Sequence, residues 1–328
     1  MIITKTPFRM SFCGGGSDMP DFYREHGGCV VSTSINRYMY ISVHPYFDEN
    51  KTSLKYSETE LVEDPGEIRH RIFRQVLSDM KVSGVEITST ADVPSGTGLG
   101  SSSAFTVGLL HSLYCYKGKY VSKHRLAEEA SDVEINRLGN PIGKQDQYAA
   151  ACGGLNLIRF HRDDTVSVEP LIMRPETLKT LQDNIVVYFT GLTHDANRIL
   201  AEQKTNISRK DKTENLLRMC SLARAMKQSL ERDELSDVGE ILHEGWMKKR
   251  ELASGIADSR IDAMYECAMA NGAAGGKLLG AGGGGFLLFY CEKHRQKKME
   301  EALGLRRFPV SFEHDGTSVV YIGDKYWD

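Results

Sequence analysis

The stretch with the most evident chemical potential is residues 94–104, Pro-Ser-Gly-Thr-Gly-Leu-Gly-Ser-Ser-Ser-Ala. It follows a predicted strand at 85–90 and precedes a predicted helix, in which Phe105, Leu109 and Leu113 recur at helical spacing. Glycines let the backbone approach an anion, and the free N–H groups and dipole of a helix start favour negative charge. The pattern therefore predicts a phosphate site, and the serines add hydroxyls that could reach a metal ion.

This loop differs from two common nucleotide-binding patterns. No lysine follows its glycines, which excludes a Walker-type P-loop, and the third glycine of the Rossmann fingerprint is absent. Glycine and serine are also frequent in ordinary loops, so a single loop of this kind is only a hypothesis of a phosphate site.

Three carboxylates elsewhere could do chemistry, and each also has an ordinary structural explanation. Asp18 follows the glycine-rich turn 13–17 and could cap the helix predicted from Pro20. Glu134 lies near a helix end, where a carboxylate opposes the helix dipole, but it could equally be a surface glutamate. Asp146 lies at a helix start, where an acidic residue favours the dipole.

A second glycine-dense segment runs from Lys277 to Tyr290, with four glycines at 282–285 leading into an apolar run. Such glycines cost conformational entropy. They are expected where the backbone must approach a ligand or another loop closely.

The remaining chain supplies a predicted α+β framework. Strands are predicted at 1–12 (as an edge strand), 28–46, 84–91, 184–191, 308–313 and 318–322, and helices at 65–80, through most of 194–271 and at 293–303. Lysines and arginines within 194–271 alternate with acids and are interpreted as a solvated face. Polar residues 161–184 predict a hairpin and a domain junction, giving an N-terminal domain at 1–170 and a C-terminal domain at 171–328.

Composition excludes several classes of protein. The 328 residues are 41% hydrophobic and carry a net charge of −3, which gives no basic footprint for nucleic acid. Seven scattered cysteines form no Cys-x-x-Cys pair, so reduced thiols are expected. No apolar run reaches the ~18 residues of a membrane span. We therefore expect a soluble cytoplasmic protein with neither a nucleic-acid nor a membrane partner.

Taken in order, residues 7–12 (Pro-Phe-Arg-Met-Ser-Phe), 94–104 and 277–286 resemble the three motifs of the GHMP kinase superfamily of galactokinase, homoserine kinase, mevalonate kinase and phosphomevalonate kinase. The resemblance covers almost the whole chain. It implies a ribosomal-protein-S5-like N-terminal domain and a ferredoxin-like C-terminal domain with added helices. It also implies ATP and Mg²⁺ as cofactors, a cleft site between the domains, and phosphoryl transfer to an alcohol group.

The resemblance assigns a role to each candidate residue. Asp146, twelve residues after Glu134, matches the catalytic aspartate, and Arg9 lies near the reacting groups. Ser102 and Glu134 are the implied Mg²⁺ ligands. The implied ATP-binding residues are Pro94, Ser95, Gly96, Gly98, Leu99, Gly100, Ser101, Ser102 and Ser103. The implied substrate-binding residues are Gly14, Gly15, Gly16, Ser17, Asp18, Gly283 and Gly284.

The first motif also bears on the substrate, a small-molecule sugar or sugar phosphate. Galactokinases have Gly-Glu-His-Thr-Asp where this chain has residues 14–18, so the acid and imidazole that read galactose are missing. Residues 7–20 closely resemble the D-glycero-D-manno-heptose 7-phosphate kinases. Residues 190–198 do so as well, with His194 where arginine is usual. The implied reaction is ATP-dependent phosphorylation of the C1 hydroxyl of that heptose phosphate, in nucleotide-activated heptose biosynthesis for surface polysaccharide or lipopolysaccharide.

Two alternatives stay open. Fucokinases share a related glycine motif, so L-fucose kinase or another sugar 1-kinase is the first. A catalytically inactive GHMP-fold ligand sensor is the second. Candidates for binding a substrate phosphate are Arg24, Arg37, Arg137, Lys144 and Arg198, and residues 55–57 are expected near the adenine base. The oligomeric state is left open.

Overall fold

The computed structural model describes residues 1–192 and 196–323 as two β-sheets with helices packed against them. The strands are β1 (Ile2–Cys13), β2 (Gly28–Pro45), β3 (Thr52–Lys55), β4 (Thr59–Val62), β5 (Val85–Ala91), β6 (Leu155–Phe160), β7 (Val166–Pro170), β8 (Ile185–Phe189), β9 (Gly275–Leu278), β10 (Phe286–Tyr290), β11 (Arg306–Arg307), β12 (Phe312–Glu313) and β13 (Ser318–Ile322).

The α-helices cover much of the predicted helical sequence. They are α1 (Pro20–His26), α2 (Arg71–Met80), α3 (Ser101–Tyr116), α4 (Lys123–Ser131), α5 (Gln145–Cys152), α6 (Pro175–Asn184), α7 (Ala196–Asn206), α8 (Lys210–Glu231), α9 (Ser236–Arg250), α10 (Ser259–Ala270) and α11 (Lys293–Leu303). A 3₁₀ turn at Pro65–Glu67 precedes α2, and a π-helix at Asp132–Arg137 continues α4.

The larger sheet has the strand order β13-β1-β2-β5-β3-β4, with β12 and the β6–β7 hairpin also paired to β2. β1 and β2 are antiparallel, from Ile2 opposite Val43 to Cys13 opposite Val31. The prediction that β1 is an edge strand is wrong, because β13 pairs with its other side. The periodicity of a strand indicates which of its residues are buried, but not how many strands pair with it. Pairing with β13, some 300 residues away, therefore left no local signal in the sequence of β1.

The smaller sheet has the order β11-β8-β10-β9, and β10 lies antiparallel between β8 and β9. Helices, strands and sheets of this mixture confirm the α+β prediction. The boundary predicted at residue 170 stays a prediction. The structure adds that β12 and β13 pair with the larger sheet, although both follow the smaller one in the chain.

Helix α3 is the element that places the glycine-rich loop. It is buried on nearly every side from Ser103 to Leu113, as expected for a helix that is apolar all round. Gly108 lets it approach β1 closely, because a Cβ there would lie 2.8 Å from the Thr6 hydroxyl oxygen. The middle of α3 thereby packs closely against β1 of the larger sheet. Within the described parts of the chain, no helix combines the length and apolar character needed to cross a membrane.

Candidate active site

A cavity of about 880 Å³ lies where the three glycine-rich segments meet, a size typical of small-molecule sites. The predicted site residues that line it are Arg9, Gly16, Asp18, Ser95, Gly96, Gly98, Gly100, Ser101, Ser102, Ser103, Glu134, Asp146 and Gly284. Segments about 270 residues apart in the sequence thus contribute to one cavity.

The other predicted site residues do not line the cavity. They are Gly14, Gly15, Ser17, Pro94, Leu99 and Gly283. The Ser17 hydroxyl donates to the carbonyl of Cys29 and accepts from its N–H, both at 3.1 Å, so it holds the turn against β2. The N–H of Gly283 donates to the carbonyl of Ile256 at 2.9 Å, and Leu99 is buried. These residues shape the loops.

Arg9 and Asp146 form a bidentate ion pair at the cavity wall. Arg9 Nε donates to Asp146 Oδ1 at 2.7 Å and Nη2 to Oδ2 at 2.6 Å. Arg9 is 4% exposed, and its Nη1 also donates to the carbonyl of Gly98 at 2.6 Å. The guanidinium therefore ties the start of α5, which carries Asp146, to the glycine-rich loop. Two parallel bonds of this type fix the carboxylate orientation as well as its position.

The spacing of glycines before α3 has a conformational reason. Gly96, Gly98 and Gly100 all have positive φ, between 75° and 82°, and the residues between them do not. Alternation of left-handed and ordinary conformations makes successive N–H groups converge into an anion-binding concavity. Gly100 is also the N-cap of α3, so the concavity opens onto the helix N-terminus. This geometry fits the phosphate site predicted from the sequence.

The second glycine-dense segment packs directly on this loop. A Cβ on Gly98 would lie 2.4 Å from the carbonyl oxygen of Leu279, and one on Gly280 would lie 2.4 Å from the Cα of Gly98. A Cβ on Gly285 would lie 2.3 Å from the carbonyl oxygen of Thr97. Of the two explanations offered for these glycines, close approach to another loop therefore applies to Gly280 and Gly285.

Glu134 is completely buried, so the alternative of a surface glutamate is wrong. The Ser102 hydroxyl donates to its Oε1 and Gln147 Nε2 to its Oε2, each at 2.7 Å. Burial raises the pKa of this carboxyl. It lies in the π-helix, where the extra residue per turn changes the direction of side chains relative to α4. Across residues 1–192 and 196–323, no cationic side chain forms an ion pair with it.

Asp18 does not cap α1, whose N-cap is Met19 without a side-chain hydrogen bond. Its carboxylate instead accepts from the N–H of Gly16 at 2.7 Å and from that of Gln145 at 3.2 Å. Asp18 is 2% exposed, and burial, with a further contribution from Asp146, raises its pKa. It therefore joins the first glycine turn to the start of α5.

The sequence interpretation missed two buried lysines, because it treated the basic residues of 194–271, including Lys249, as solvated and gave no separate role to Lys277 in the third motif. Lys249, in α9, is 6% exposed and lines the cavity. Its Nζ donates to Gln203 Oε1 at 3.1 Å, and burial lowers its pKa to about 8. Lys277 donates to the Ser11 hydroxyl at 3.4 Å, and burial followed by the charge of Lys249 lowers its pKa to about 7.

The spacing of Lys249 from apolar residues of the same helix was the signal that could have predicted its burial. Lys249 lies seven residues after Leu242 and three after Trp246, and both of these are buried. Residues at such spacing share one face of a helix. Lys249 therefore lies on the inward stripe of α9 and not on its solvated side.

The opposite end of the cavity is apolar and aromatic. Its lining residues include Met39, Tyr56, His70, Ile72, Val93 and Phe105. The rings of Tyr56 and His70 meet edge to face at 4.9 Å, and burial lowers the pKa of His70. Tyr56 and Ser57, from the segment predicted to approach the adenine base, line this end.

The five basic residues proposed for a substrate phosphate do not line the cavity. Arg24 and Lys144 pair with Asp164 at the hairpin, and Arg137 pairs with Asp79 and Asp132. Arg37 packs over the ring of Phe308, and Arg198 is exposed on α7. Within residues 190–198, position 194 lies outside the described residues.

Two protein-family models match the chain, the GHMP kinases N terminal domain at residues 68–154 and the GHMP kinases C terminal model at residues 226–309. Together they account for just over half of it. The chain belongs to the GHMP kinase family. It is accordingly a phosphotransferase that takes ATP as phosphoryl donor and an alcohol group as acceptor.

The names of proteins similar to this GHMP kinase refer to several different sugars. A D-glycero-alpha-D-manno-heptose 7-phosphate kinase of Campylobacter jejuni is 29% identical over 92% of this chain and 93% of its own. A bifunctional fucokinase/GDP-fucose pyrophosphorylase of Arabidopsis thaliana is 26% identical over 90% of this chain and 31% of its own. The crystal structure of a D-glycero-D-manno-heptose 1-phosphate kinase from Bacteroides thetaiotaomicron superposes with a TM-score of 0.80 at 25% identity, covering 99% of this chain and 100% of that one.

Proposed function

We propose that this GHMP kinase transfers the γ-phosphoryl group of ATP to the anomeric C1 hydroxyl of D-glycero-D-manno-heptose 7-phosphate. The observation that carries the proposal is one cavity lined by an anion-binding loop, the Ser102–Glu134 pair with its buried carboxylate, and the Arg9–Asp146 pair. Phosphoryl transfer depends on positioning and charge stabilisation more than on covalent chemistry, and this set supplies both.

ATP is proposed to lie along the cavity from its apolar end to the start of α3. The edge-to-face rings of Tyr56 and His70, with Phe105, offer an apolar slot for the adenine. The left-handed glycines of residues 96–100 and the N-terminus of α3 direct N–H groups at the phosphates. This orientation brings the γ-phosphate towards Asp146.

Mg²⁺ is proposed to be held by Ser102 and Glu134. A hydroxyl and one carboxylate suit this ion, which is usually bound by one or two carboxylates, substrate phosphates and water. Glu134 fits the role because its buried carboxylate has two neutral hydrogen-bond donors and, in the described chain, no ion-pair partner. When bound, the ion would neutralise charge on the β- and γ-phosphates.

Asp146 is proposed to orient the acceptor hydroxyl and accept its proton. Arg9 occupies one lone-pair direction on each carboxylate oxygen, which leaves further acceptor capacity for the hydroxyl. The guanidinium also places positive charge beside the oxygen that becomes negative as its proton leaves. Arg9 thus has two roles, in holding the aspartate and in stabilising charge.

The choice of acceptor rests on the first motif and on the heptose kinases among the relatives. Gly16 lines the cavity with no side chain, and Asp18 is fixed next to it by two main-chain N–H groups. The Campylobacter relative covers nearly the whole chain and carries the same substrate in its name. Seven free cysteines are compatible with a reducing compartment, and we place the reaction in the cytoplasm.

A ³¹P NMR time course tests the proposal. The enzyme is incubated with ATP and Mg²⁺ and, in separate tubes, with D-glycero-D-manno-heptose 7-phosphate, the unphosphorylated heptose, L-fucose or galactose. We expect a new anomeric phosphate signal with the heptose 7-phosphate. Turnover of fucose alone would favour the second candidate, L-fucose kinase, which is supported by the Arabidopsis relative. Bound ATP without turnover of any of these sugars would favour an acceptor that was not tested or the inactive sensor.

A further inference from the structure

The arginine and lysine side chains that line the cavity among the described residues differ in whether a carboxylate pairs with them. The carboxylates of the cavity are Asp18, Glu134 and Asp146, and among the described lining residues the arginine and lysine side chains are Arg9 and Lys249. Arg9 is neutralised by its bidentate contact with Asp146. Lys249 has no carboxylate within ion-pair distance in the described chain, and its Nζ contacts the neutral Gln203 amide. The cavity therefore contains one lysine whose charge is not directly paired.

The surroundings of Lys249 place it on the acceptor side. Gln203, its hydrogen-bond partner, is 1% exposed and lies over the first glycine turn, since a Cβ on Gly16 would be 2.3 Å from Gln203 Nε2. The charges of Asp18, Arg9 and Asp146 all act on Lys249. Lys249 thus lies among the groups proposed to hold the acceptor, away from the aromatic end.

The buried ammonium charge of Lys249 is unfavourable when no ligand is bound. An ammonium has three N–H donors, and one of them reaches Gln203. Buried charges are normally paired, and Lys277 nearby adds a second positive charge. An anion entering the cavity would supply both the missing charge and the missing hydrogen-bond acceptors. The alternative basic residues are committed elsewhere or lie outside the cavity, as described above.

We propose that Lys249 binds the phosphate group that the acceptor already carries, and so selects a phosphorylated sugar over the corresponding free sugar. The proposal rests on the proposed sugar-kinase function and names the residue that recognises the acceptor. Lys249 is a specificity-determining residue, whereas Asp146 and Arg9 act at the reacting hydroxyl. The Gln203 amide orients the ammonium, and Lys277 behind it contributes positive potential.

The test compares Lys249→Met and Lys249→Gln with Lys248→Met, which alters the neighbouring lysine of the same helix. Steady-state kinetics are measured with D-glycero-D-manno-heptose 7-phosphate and with the unphosphorylated heptose, and KM is measured for ATP. For both Lys249 variants we expect kcat/KM for the phosphorylated sugar to fall about 100-fold, mainly through KM, as expected for loss of a charged hydrogen bond. The free heptose and ATP should change less than about 3-fold. Lys248→Met should resemble the wild type.

Three results would overturn the role of Lys249. Equal losses on both acceptors would indicate a structural role, and a rise confined to the KM of ATP would assign Lys249 to the nucleotide. A wild-type preference for unphosphorylated sugars would mean that the acceptor carries no phosphate to bind. The proposed function is judged separately, because wild-type turnover of heptose 7-phosphate supports it whatever the variants do. Discrimination on a different sugar phosphate would keep the role of Lys249 and reject the proposed heptose.

A measurement on the wild type covers the case in which a variant does not fold. Sorbitol 6-phosphate has a phosphate but no anomeric hydroxyl. It should inhibit competitively against the acceptor at least 10-fold more strongly than sorbitol, since an ionic hydrogen bond is worth that much. Equal inhibition by the two compounds would contradict the proposal.

Discussion

At the scale of single residues, the Arg9–Asp146 pair is the feature on which turnover should depend most. Replacing Asp146 by asparagine keeps the shape of the side chain but removes the proton acceptor and the charge opposite Arg9. We expect kcat to fall ~100-fold or more, the scale of lost acid–base assistance. ATP binding, measured by calorimetry, should change little, because the phosphate loop and the aromatic end are untouched.

Asp211→Asn is the matched control, because Asp211 is an exposed aspartate at the start of α8 that pairs with the neighbouring Arg209 and Lys212. It should leave kcat within a factor of two of the wild type, as is usual for surface substitutions. Near-normal turnover of Asp146→Asn would remove that residue from the catalytic role.

Glu134 gives a prediction about metal dependence. Glu134→Gln removes the buried negative charge, and Gln147 can rotate its amide to accept from the new group, since Gln147 Oε1 has no partner in the described chain. We expect the Mg²⁺ concentration for half-maximal activity to rise about 10-fold or more. The urea midpoint in EDTA should not fall, because a buried charge has been removed. Glu128→Gln, on the exposed face of α4, is the control. An unchanged Mg²⁺ requirement would contradict the assignment.

Candidate site residues could be predicted from the sequence where the residues next to them in the chain form a recognisable motif. Arg9, Ser102, Glu134 and Asp146 belong to short motifs or have a fixed spacing, and their resemblance to a family could be seen directly. Lys249 has no motif around it. Its burial depends on the packing of α9 against the rest of the fold. Because acidic and basic residues alternate in this part of the sequence, the buried face of α9 was not recognised.

At the scale of elements, the contact between the two glycine-rich loops should be the most sensitive to added bulk. Gly98→Ala places a Cβ at positive φ and 2.4 Å from the Leu279 carbonyl oxygen, where backbone has to move. We expect a loss of about 2–3 kcal/mol in the free energy of unfolding. The KM for ATP should also rise, because the displaced loop forms the phosphate site.

Gly304→Ala separates backbone strain from the clash. Gly304 has φ of +59° at the end of α11, and no atom lies within 4 Å of an added Cβ. Its cost should be about 1 kcal/mol, from backbone strain alone. Urea denaturation measures both variants. Similar losses for Gly98→Ala and Gly304→Ala would mean that the two loops separate easily and that their contact matters little.

The elements themselves were largely predictable, whereas their partners were not. The strand before the phosphate loop and the helix after it follow from the local periodicity of the sequence. The π-helix at Asp132–Arg137 could not be predicted in this way, because one additional residue in a helical turn leaves the amino-acid composition of the segment unchanged. The position of β1 inside the sheet was missed for the related reason that pairing with β13 is not local.

At the scale of the whole molecule, the buried lysines link stability to pH. The folded pKa of Lys249 is about 8, below its ordinary value of 10.5, so between these values the unfolded chain holds more protons and the wild type gains stability as pH rises. Lys249→Met lacks this gain. Its stability relative to the wild type should therefore decline by about 1 kcal/mol per pH unit above pH 8. Urea midpoints at pH 7, 8 and 9 measure it, and a constant difference would show that Lys249 does not titrate there.

The pairing of β1 with β13 has a consequence for the order in which the molecule can be assembled. Ile2 lies opposite Ile322, and the N–H of Gly323 donates to the carbonyl of Met1, so β1 is synthesised about 300 residues before the strand that completes its pairing. Until then one side of β1 presents unpaired main-chain groups, the condition that favours pairing with another chain. Contacts of such sequence separation also form slowly. Until residues 318–322 have been synthesised and paired, this edge of β1 is therefore available for pairing with another chain.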